Sequence, residues 1–203
     1  MQRSALPFCA TLLAATLAAC TGPKVSTGPG ADPSSARGLL VGEAAKGRVP
    51  LEIDRVPAVY KGGEAELTSV VAKAVDWLHV PFDPVPYGSA TDRRRLVLRF
   101  TPTPAPAADV CTGRAPPAGV QVPPLTLHAT FCDGLRPVAD ATGTAQGPDL
   151  EATDRMVQAV MDRLFPGRGG GPSYGFPGIS LGVGVGSGGG DHWGGGAGVG
   201  VHF

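Results

Sequence analysis

Glycine is distributed so unevenly along this 203-residue chain that it limits where a folded domain can lie. Seventeen of the 31 glycines fall between Gly167 and Gly200. Glycine at that density is typical of low-complexity segments, which cannot bury a hydrophobic core. A compact domain is therefore expected over residues 48–166, where hydrophobic patterns persist, and a glycine-rich tail is expected over residues 167–203.

The charge balance argues against partners that bind through a strong electrostatic field. The chain has 17 basic and 17 acidic residues, which gives a formal net charge of zero. A chain without surplus positive charge is not steered toward nucleic acid or toward an anionic surface. We therefore expect no nucleic-acid partner.

The N-terminus has the composition of an export signal. Arg3 supplies positive charge, and residues 5–19 are apolar apart from two threonines. This run is too short to span a membrane, which takes about 20 apolar residues. It ends in Leu17-Ala18-Ala19-Cys20, whereas an ordinary signal peptide ends in an A-x-A pattern.

The stretch Leu17-Ala18-Ala19-Cys20 resembles the lipobox of bacterial lipoproteins. The resemblance implies that the signal peptide, residues 1–19, is cut between Ala19 and Cys20, and that the Cys20 thiol carries a diacylglyceryl group. Two or three fatty chains hold a protein lastingly on a membrane. Thr21 stands where an inner-membrane retention signal would place aspartate, which implies the outer membrane with the domain facing the periplasm. A chance cysteine in a secreted protein is the alternative.

Residues 20–47 are rich in Gly, Pro, Ser and Ala and show no sustained hydrophobic period. This composition predicts a flexible linker that follows the lipidated cysteine. A flexible linker of that length reaches about 30 Å on average. The domain would then hang away from the membrane.

Periodic patterns in residues 48–166 predict an α+β domain. Apolar residues recur at helical spacing after Gly63 and again after Asp149, which is expected to cap its helix. Alternating patterns predict a short strand that ends before Pro57, a strand over Arg93–Phe100, and a hairpin that turns at Asp133-Gly134. The order strand, helix, strand, hairpin, helix predicts a small, mainly antiparallel sheet with two helices on one face.

This layout, with a last helix that ends in Leu164-Phe165-Pro166 before a glycine-valine tail, is similar to a family of small bacterial lipoproteins whose domain has no assigned function. The similarity covers about 110 residues and includes no diagnostic motif. The chain departs from the family in having no tryptophan in the hairpin and an added cysteine pair. The resemblance implies a fold and a location, not an activity.

Two cysteines remain in the mature chain. Cys9 leaves with the signal peptide and Cys20 is lipidated, so an even number, Cys111 and Cys132, enters an oxidising compartment. A disulfide between them would stabilise the fold by about 3 kcal/mol and pin the proline-rich connection to the hairpin. A reactive thiol or a metal site is the alternative, but the chain has no C-x-x-C spacing.

The tail contains two segments in which apolar residues alternate with small ones, Ile179–Gly186 and Gly196–Phe203. They predict a β-hairpin, but an isolated hairpin is marginal in water. The tail is therefore expected either to lack order or to gain it from an envelope protein, a second copy or the membrane.

Strings that match catalytic motifs lack the structural context that those motifs require. Gly171–Gly175 fits G-x-S-x-G and Gly184–Gly189 fits the dinucleotide fingerprint, but neither joins a predicted strand to a helix. Asp191, His192 and His202 would bind a transition metal only if the tail hairpin closed around them. We expect no metal site and no cofactor.

Titratable residues elsewhere are scattered and suggest no catalytic residue. No general acid is paired with a base among Asp76, Asp83 and Asp92. His79 is expected to cap a helix or lie on the surface, and His128 to point away from the core. Arg93, Arg94 and Arg95 are expected to form a solvated strand edge.

These observations favour a non-catalytic envelope lipoprotein that acts as a structural or interaction module. The tail would carry contacts with an envelope protein or with a second copy. The alternatives are a periplasmic binding module for a small ligand or for another protein's edge strand, and an enzyme.

Overall fold

The computed structural model describes residues 22–121 and 123–167 in full and, beyond them, the backbone of two tail strands. The α+β class is confirmed for the first of two units, which ends at Pro166. Its strands are β1 (Lys24–Thr27), β2 (Val49–Ile53), β3 (Phe82–Val85), β4 (Arg94–Phe100), β5 (Thr126–Asp133) and β6 (Arg136–Thr144). Its helices are α1 (Pro33–Ala44), α2 (Gly63–Ala74), α3 (Ala107–Cys111) and α4 (Leu150–Leu164), with a 3-10 turn at Asp76–Leu78.

The six strands form one sheet in the order β1-β6-β5-β4-β2-β3. The pairs β1–β6, β6–β5 and β5–β4 are antiparallel, in line with the predicted mainly antiparallel sheet. The pairs of β2 with β4 and of β2 with β3 are parallel, so the sheet is mixed. Parallel neighbours need a long crossover, and α2 provides it between β2 and β3.

Helices α1, α2 and α4 cover one face of the sheet and enclose the main core. The predicted stripes are buried at Leu67 and Val71 of α2 and at Val157 and Val160 of α4. Gly143 lets α4 approach β6 closely, since a Cβ there would meet side-chain atoms of α4. Leu150, the first residue of α4, is 39% exposed.

The hairpin of β5 and β6 turns one residue later than predicted, through Gly134 and Leu135. Gly134 has a φ of 60°, a left-handed conformation that glycine adopts without steric cost. The paired strands therefore end at Asp133 and begin again at Arg136.

The prediction of a flexible linker over residues 20–47 is wrong for residues 24–44. β1 pairs with β6 along the edge of the sheet, and α1 buries Ala36 and Leu40 in the core. Asp32 caps α1 by accepting a hydrogen bond from the Ser35 backbone N–H at 3.0 Å. Hydrogen bonds from Ser34 and Ser35 lower the pKa of Asp32 to about 2.

The sequence contains a signal for α1 that the composition concealed. Asp32 is an N-cap residue and Pro33 suits the first helical position. An aspartate followed by proline at a helix start predicts the helix even in a segment rich in glycine and alanine.

The second unit, residues 167–203, contains the predicted hairpin. Its strands are β7 (Ser180–Gly184) and β8 (Gly196–Gly200), which pair antiparallel with Leu181 opposite Val199 and Val183 opposite Ala197.

Candidate functional site

The face of the sheet opposite the main core has two buried ion pairs. Glu52 lies on β2 and Arg95 on β4, and their Oε1 and Nε atoms are 3.1 Å apart with both side chains fully buried. Asp54, just after β2, pairs with Arg99 of β4, with Oδ2 and Nε 2.9 Å apart. Alternate residues of a strand share a face, so these charges lie opposite the core residues between them.

The prediction that Arg93–Arg95 form a solvated edge is wrong. β4 lies between β5 and β2 in the interior of the sheet, and Arg95 has no solvent exposure. The two preceding arginines keep contact with solvent, since the side chain of Arg93 is 52% exposed and that of Arg94 is 28% exposed. The sequence signal that we missed is a pair of arginines, Arg95 and Arg99, on one face of a strand whose other face is apolar from Leu96 onward.

The two buried arginines hold the proline-rich connection between β4 and β5, residues 101–121, which we call the strap. Arg95 donates hydrogen bonds to the carbonyl oxygens of Cys111 at 2.6 Å and Gly134 at 2.9 Å. Arg99 donates to the carbonyl oxygen of Pro116, and Asp54 accepts a hydrogen bond from the Ala118 N–H at 2.9 Å. The strap is therefore fastened to the sheet through buried, charge-assisted hydrogen bonds.

The Glu52 carboxylate joins a second loop to the same layer. It accepts hydrogen bonds from the backbone N–H groups of Gly88 at 3.0 Å and Ala90 at 2.9 Å, both in the loop between β3 and β4. Glu52 and Arg95 together connect the sheet, the strap, the hairpin turn and this loop. We call Glu52, Asp54, Arg95 and Arg99 the ion-pair layer.

The predicted disulfide between Cys111 and Cys132 is present and lies beside this layer. Cys111 ends α3 in the strap, and Cys132 is the cross-strand neighbour of Arg95. Both cysteines are fully buried with Val97, Val110 and Ala115 in a small cluster separate from the main core. As predicted, the bond pins the proline-rich connection to the hairpin, at the point that Arg95 also holds.

Two polar atoms near Arg99 are buried and have no hydrogen-bond partner among the described residues. They are the hydroxyl oxygen of Tyr87, whose ring centroid lies 5.7 Å from the Arg99 guanidinium carbon, and Nε2 of His128. The other ring nitrogen of His128 lies 2.9 Å from Oγ1 of Thr142. Burial lowers the pKa of His128 and raises the pKa of Tyr87, so both groups favour their neutral forms.

A cleft of about 270 Å³ opens between the end of β4 and the strap. It is lined by Arg99, Thr101 and the prolines of the strap. The lining is mostly apolar, with the positive charge of Arg99 at its margin. Arg99 already donates hydrogen bonds to Asp54 and to the Pro116 carbonyl oxygen.

Several predicted sites lie outside the described residues. They are Ala19 and Cys20, the Gly171–Gly175 string, and the set Asp191, His192 and His202. His79 is exposed and caps the 3-10 turn, as predicted. Within the described ranges, no three histidine, cysteine or carboxylate side chains are grouped to hold a metal ion.

None of the helices in the described part of the chain combines the length and the apolar character that crossing a membrane requires. The chain matches no model of a known protein family, no curated protein and no solved structure.

Proposed function

We propose that the protein is an outer-membrane lipoprotein, anchored through lipid on Cys20, whose domain is a non-catalytic structural or interaction module in the periplasm. The observation that carries this proposal is the stretch Leu17-Ala18-Ala19-Cys20 at the end of an export signal. The buried Cys111–Cys132 disulfide supports it, because disulfides persist in oxidising compartments such as the periplasm.

The position of β1 shortens the tether between the proposed lipid anchor and the domain. Four peptide units separate Cys20 from Lys24, the first residue of β1, and they span at most about 14 Å. The expected linker of residues 20–47 would have reached about 30 Å. The domain is therefore proposed to lie directly against the membrane that holds its lipid.

The ion-pair layer supports a structural role rather than catalysis. Each of its four charges faces an opposite charge, and its hydrogen bonds hold backbone groups of the strap and the loops. All four side chains are also buried, which suits groups that hold the fold together. The layer fixes two long loops on the sheet and so presents a rigid surface.

Metabolic labelling with an alkyne fatty acid in a Gram-negative host tests the anchor. The wild-type protein is expected to take up label and to fractionate with the outer membrane. Cys20→Ser is expected to lose all label, because the lipobox position then has no thiol to receive the diacylglyceryl group. The matched control is Cys9→Ser, which removes the other cysteine of the same segment and is expected to keep full labelling. Label retained in Cys20→Ser would refute the proposal.

The tail hairpin is the proposed contact with an envelope protein or a second copy. Its glycine-rich strands specify their register weakly, and such strands readily add to another edge. Truncation after Gly167 is expected to leave the melting temperature unchanged, because α4 ends within the first unit. It is expected to reduce the size of the detergent-extracted complex in sedimentation.

Two outcomes of that truncation would contradict the prediction. A melting temperature lower by more than about 5 °C, roughly 1 kcal/mol for a domain of this size, would assign the tail a stabilising role. Unchanged sedimentation would remove its role in association.

A periplasmic binding module for a small ligand is the second candidate. The cleft beside Arg99 favours it, together with the Tyr87 hydroxyl and His128 Nε2, for which the described part of the chain provides no hydrogen-bond partner. A specific ligand is expected to raise the melting temperature of a binding module by mass action. A purely structural module is expected to show no such rise.

A further inference from the structure

The chain enters the domain at one end of the sheet. Lys24 pairs with Thr144, the last residue of β6, and the Ala145 N–H donates to the carbonyl oxygen of Leu125, just before β5. The hairpin turn at Gly134 and Leu135 lies at the other end. Nine residues of β6 separate the two ends, which corresponds to about 30 Å.

Large apolar side chains are exposed at the end where the chain enters. Val120, in the strap, is 77% exposed, and the next residue, Gln121, donates a hydrogen bond to the carbonyl oxygen of Phe100 at the end of β4. Leu150 is 39% exposed and begins α4 at the same end.

A cleft of about 640 Å³ opens at this end, lined by Lys24, Pro123, Pro124 and residues 144–148. The cleft and the two exposed apolar side chains form one end of the domain. We call Lys24, Val120, Pro123, Pro124 and Leu150 the entry face.

We infer that the entry face rests on the bilayer that holds the lipid of Cys20, with Val120 and Leu150 inserted among the phospholipids. The inference rests on the proposed anchor. A tether of at most about 14 Å between Cys20 and Lys24 keeps this end of the sheet at the membrane surface. Apolar side chains at that position bury themselves within the outermost 5–10 Å of a bilayer, roughly the depth that interfacial segments reach.

Photo-crosslinking in intact membranes tests this orientation. A benzophenone amino acid is placed in the full-length protein at Val120, at Leu150 or at Leu135. Leu135 is the matched control, because it is 57% exposed and apolar but lies in the hairpin turn at the far end. Irradiation is expected to give phospholipid adducts at Val120 and Leu150, detected by mass, and no adduct above the unirradiated background at Leu135.

Equal lipid adducts at all three positions would overturn the inference, as would protein adducts in place of lipid at Val120 and Leu150. Fatty-acid label on Cys20 is measured in the same cells. Label without lipid adducts at the entry face overturns only the orientation, whereas absence of label overturns the anchor and the orientation with it. Absence of free thiols in each denatured, unreduced variant shows that the Cys111–Cys132 disulfide has formed.

Discussion

Replacing Arg95 with methionine is expected to lower the free energy of unfolding by about 3–5 kcal/mol, the usual cost of removing one partner from a buried ion pair. The Glu52 carboxylate would stay fully buried without its opposite charge. The carbonyl oxygens of Cys111 and Gly134 would also lose their charged donor. Methionine is unbranched like the stem of arginine but lacks the guanidinium group, so the change removes the charge, its hydrogen bonds and the volume of that group.

Urea unfolding with the disulfide intact measures this change. The matched control is Arg94→Met on the same strand, which breaks a partly exposed pair with Asp133 and is expected to cost less than about 1 kcal/mol. The double variant Glu52→Gln/Arg95→Met is expected to be more stable than Arg95→Met alone. Glutamine leaves no unpaired charge. Its single carbonyl oxygen keeps one of the two hydrogen bonds from Gly88 and Ala90, and the lost bond costs less than a buried, unpaired carboxylate. Similar losses for Arg94→Met and Arg95→Met would contradict the assignment of a buried layer.

Removing the disulfide with the double variant Cys111→Ala/Cys132→Ala is expected to lower the free energy of unfolding by about 2–5 kcal/mol. The bond closes a loop between residues 21 positions apart in the chain, and it restrains the unfolded chain as well as the strap. The denaturant m-value is expected to rise, because an unfolded chain without the bond exposes more surface. An unchanged m-value would indicate that only packing was lost.

The disulfide and Arg95 hold the same residue, so their effects are expected to be coupled. Arg95 donates to the Cys111 carbonyl, and Cys132 is its cross-strand neighbour. The variant that lacks both is expected to be destabilised by less than the sum of the two losses, since the same part of the strap is released only once. Additive losses would show that the strap is held at independent points.

Local patterns in the sequence determined several elements of this fold. The apolar stripes of α2 and α4 follow helical spacing, and Asp149 caps α4 by accepting from the Ala152 N–H at 2.8 Å, as predicted. The β5–β6 hairpin was signalled by alternation around Gly134. These features could be predicted because each depends on residues close together in the chain.

The disulfide was also available from the sequence, through the number of cysteines that remain once Cys9 and Cys20 are assigned. The lipobox resemblance at Leu17–Cys20 is likewise a local pattern, and the anchor it implies stays a prediction. Neither depends on knowing how distant segments pack.

Only the tertiary structure decided which charges are buried and which strands form the edges. An alternating sequence looks the same whether the face of the strand that carries the arginines meets water or is covered by the strap. Arg95 was therefore predicted to lie at the surface. Its partner Glu52 lies on a different strand, and the parallel pairing of β2 with β4 brings the two together. β1 is ordered in the same way, by pairing with β6 more than 100 residues later. Long-range pairing places these residues, and a local pattern does not contain that information.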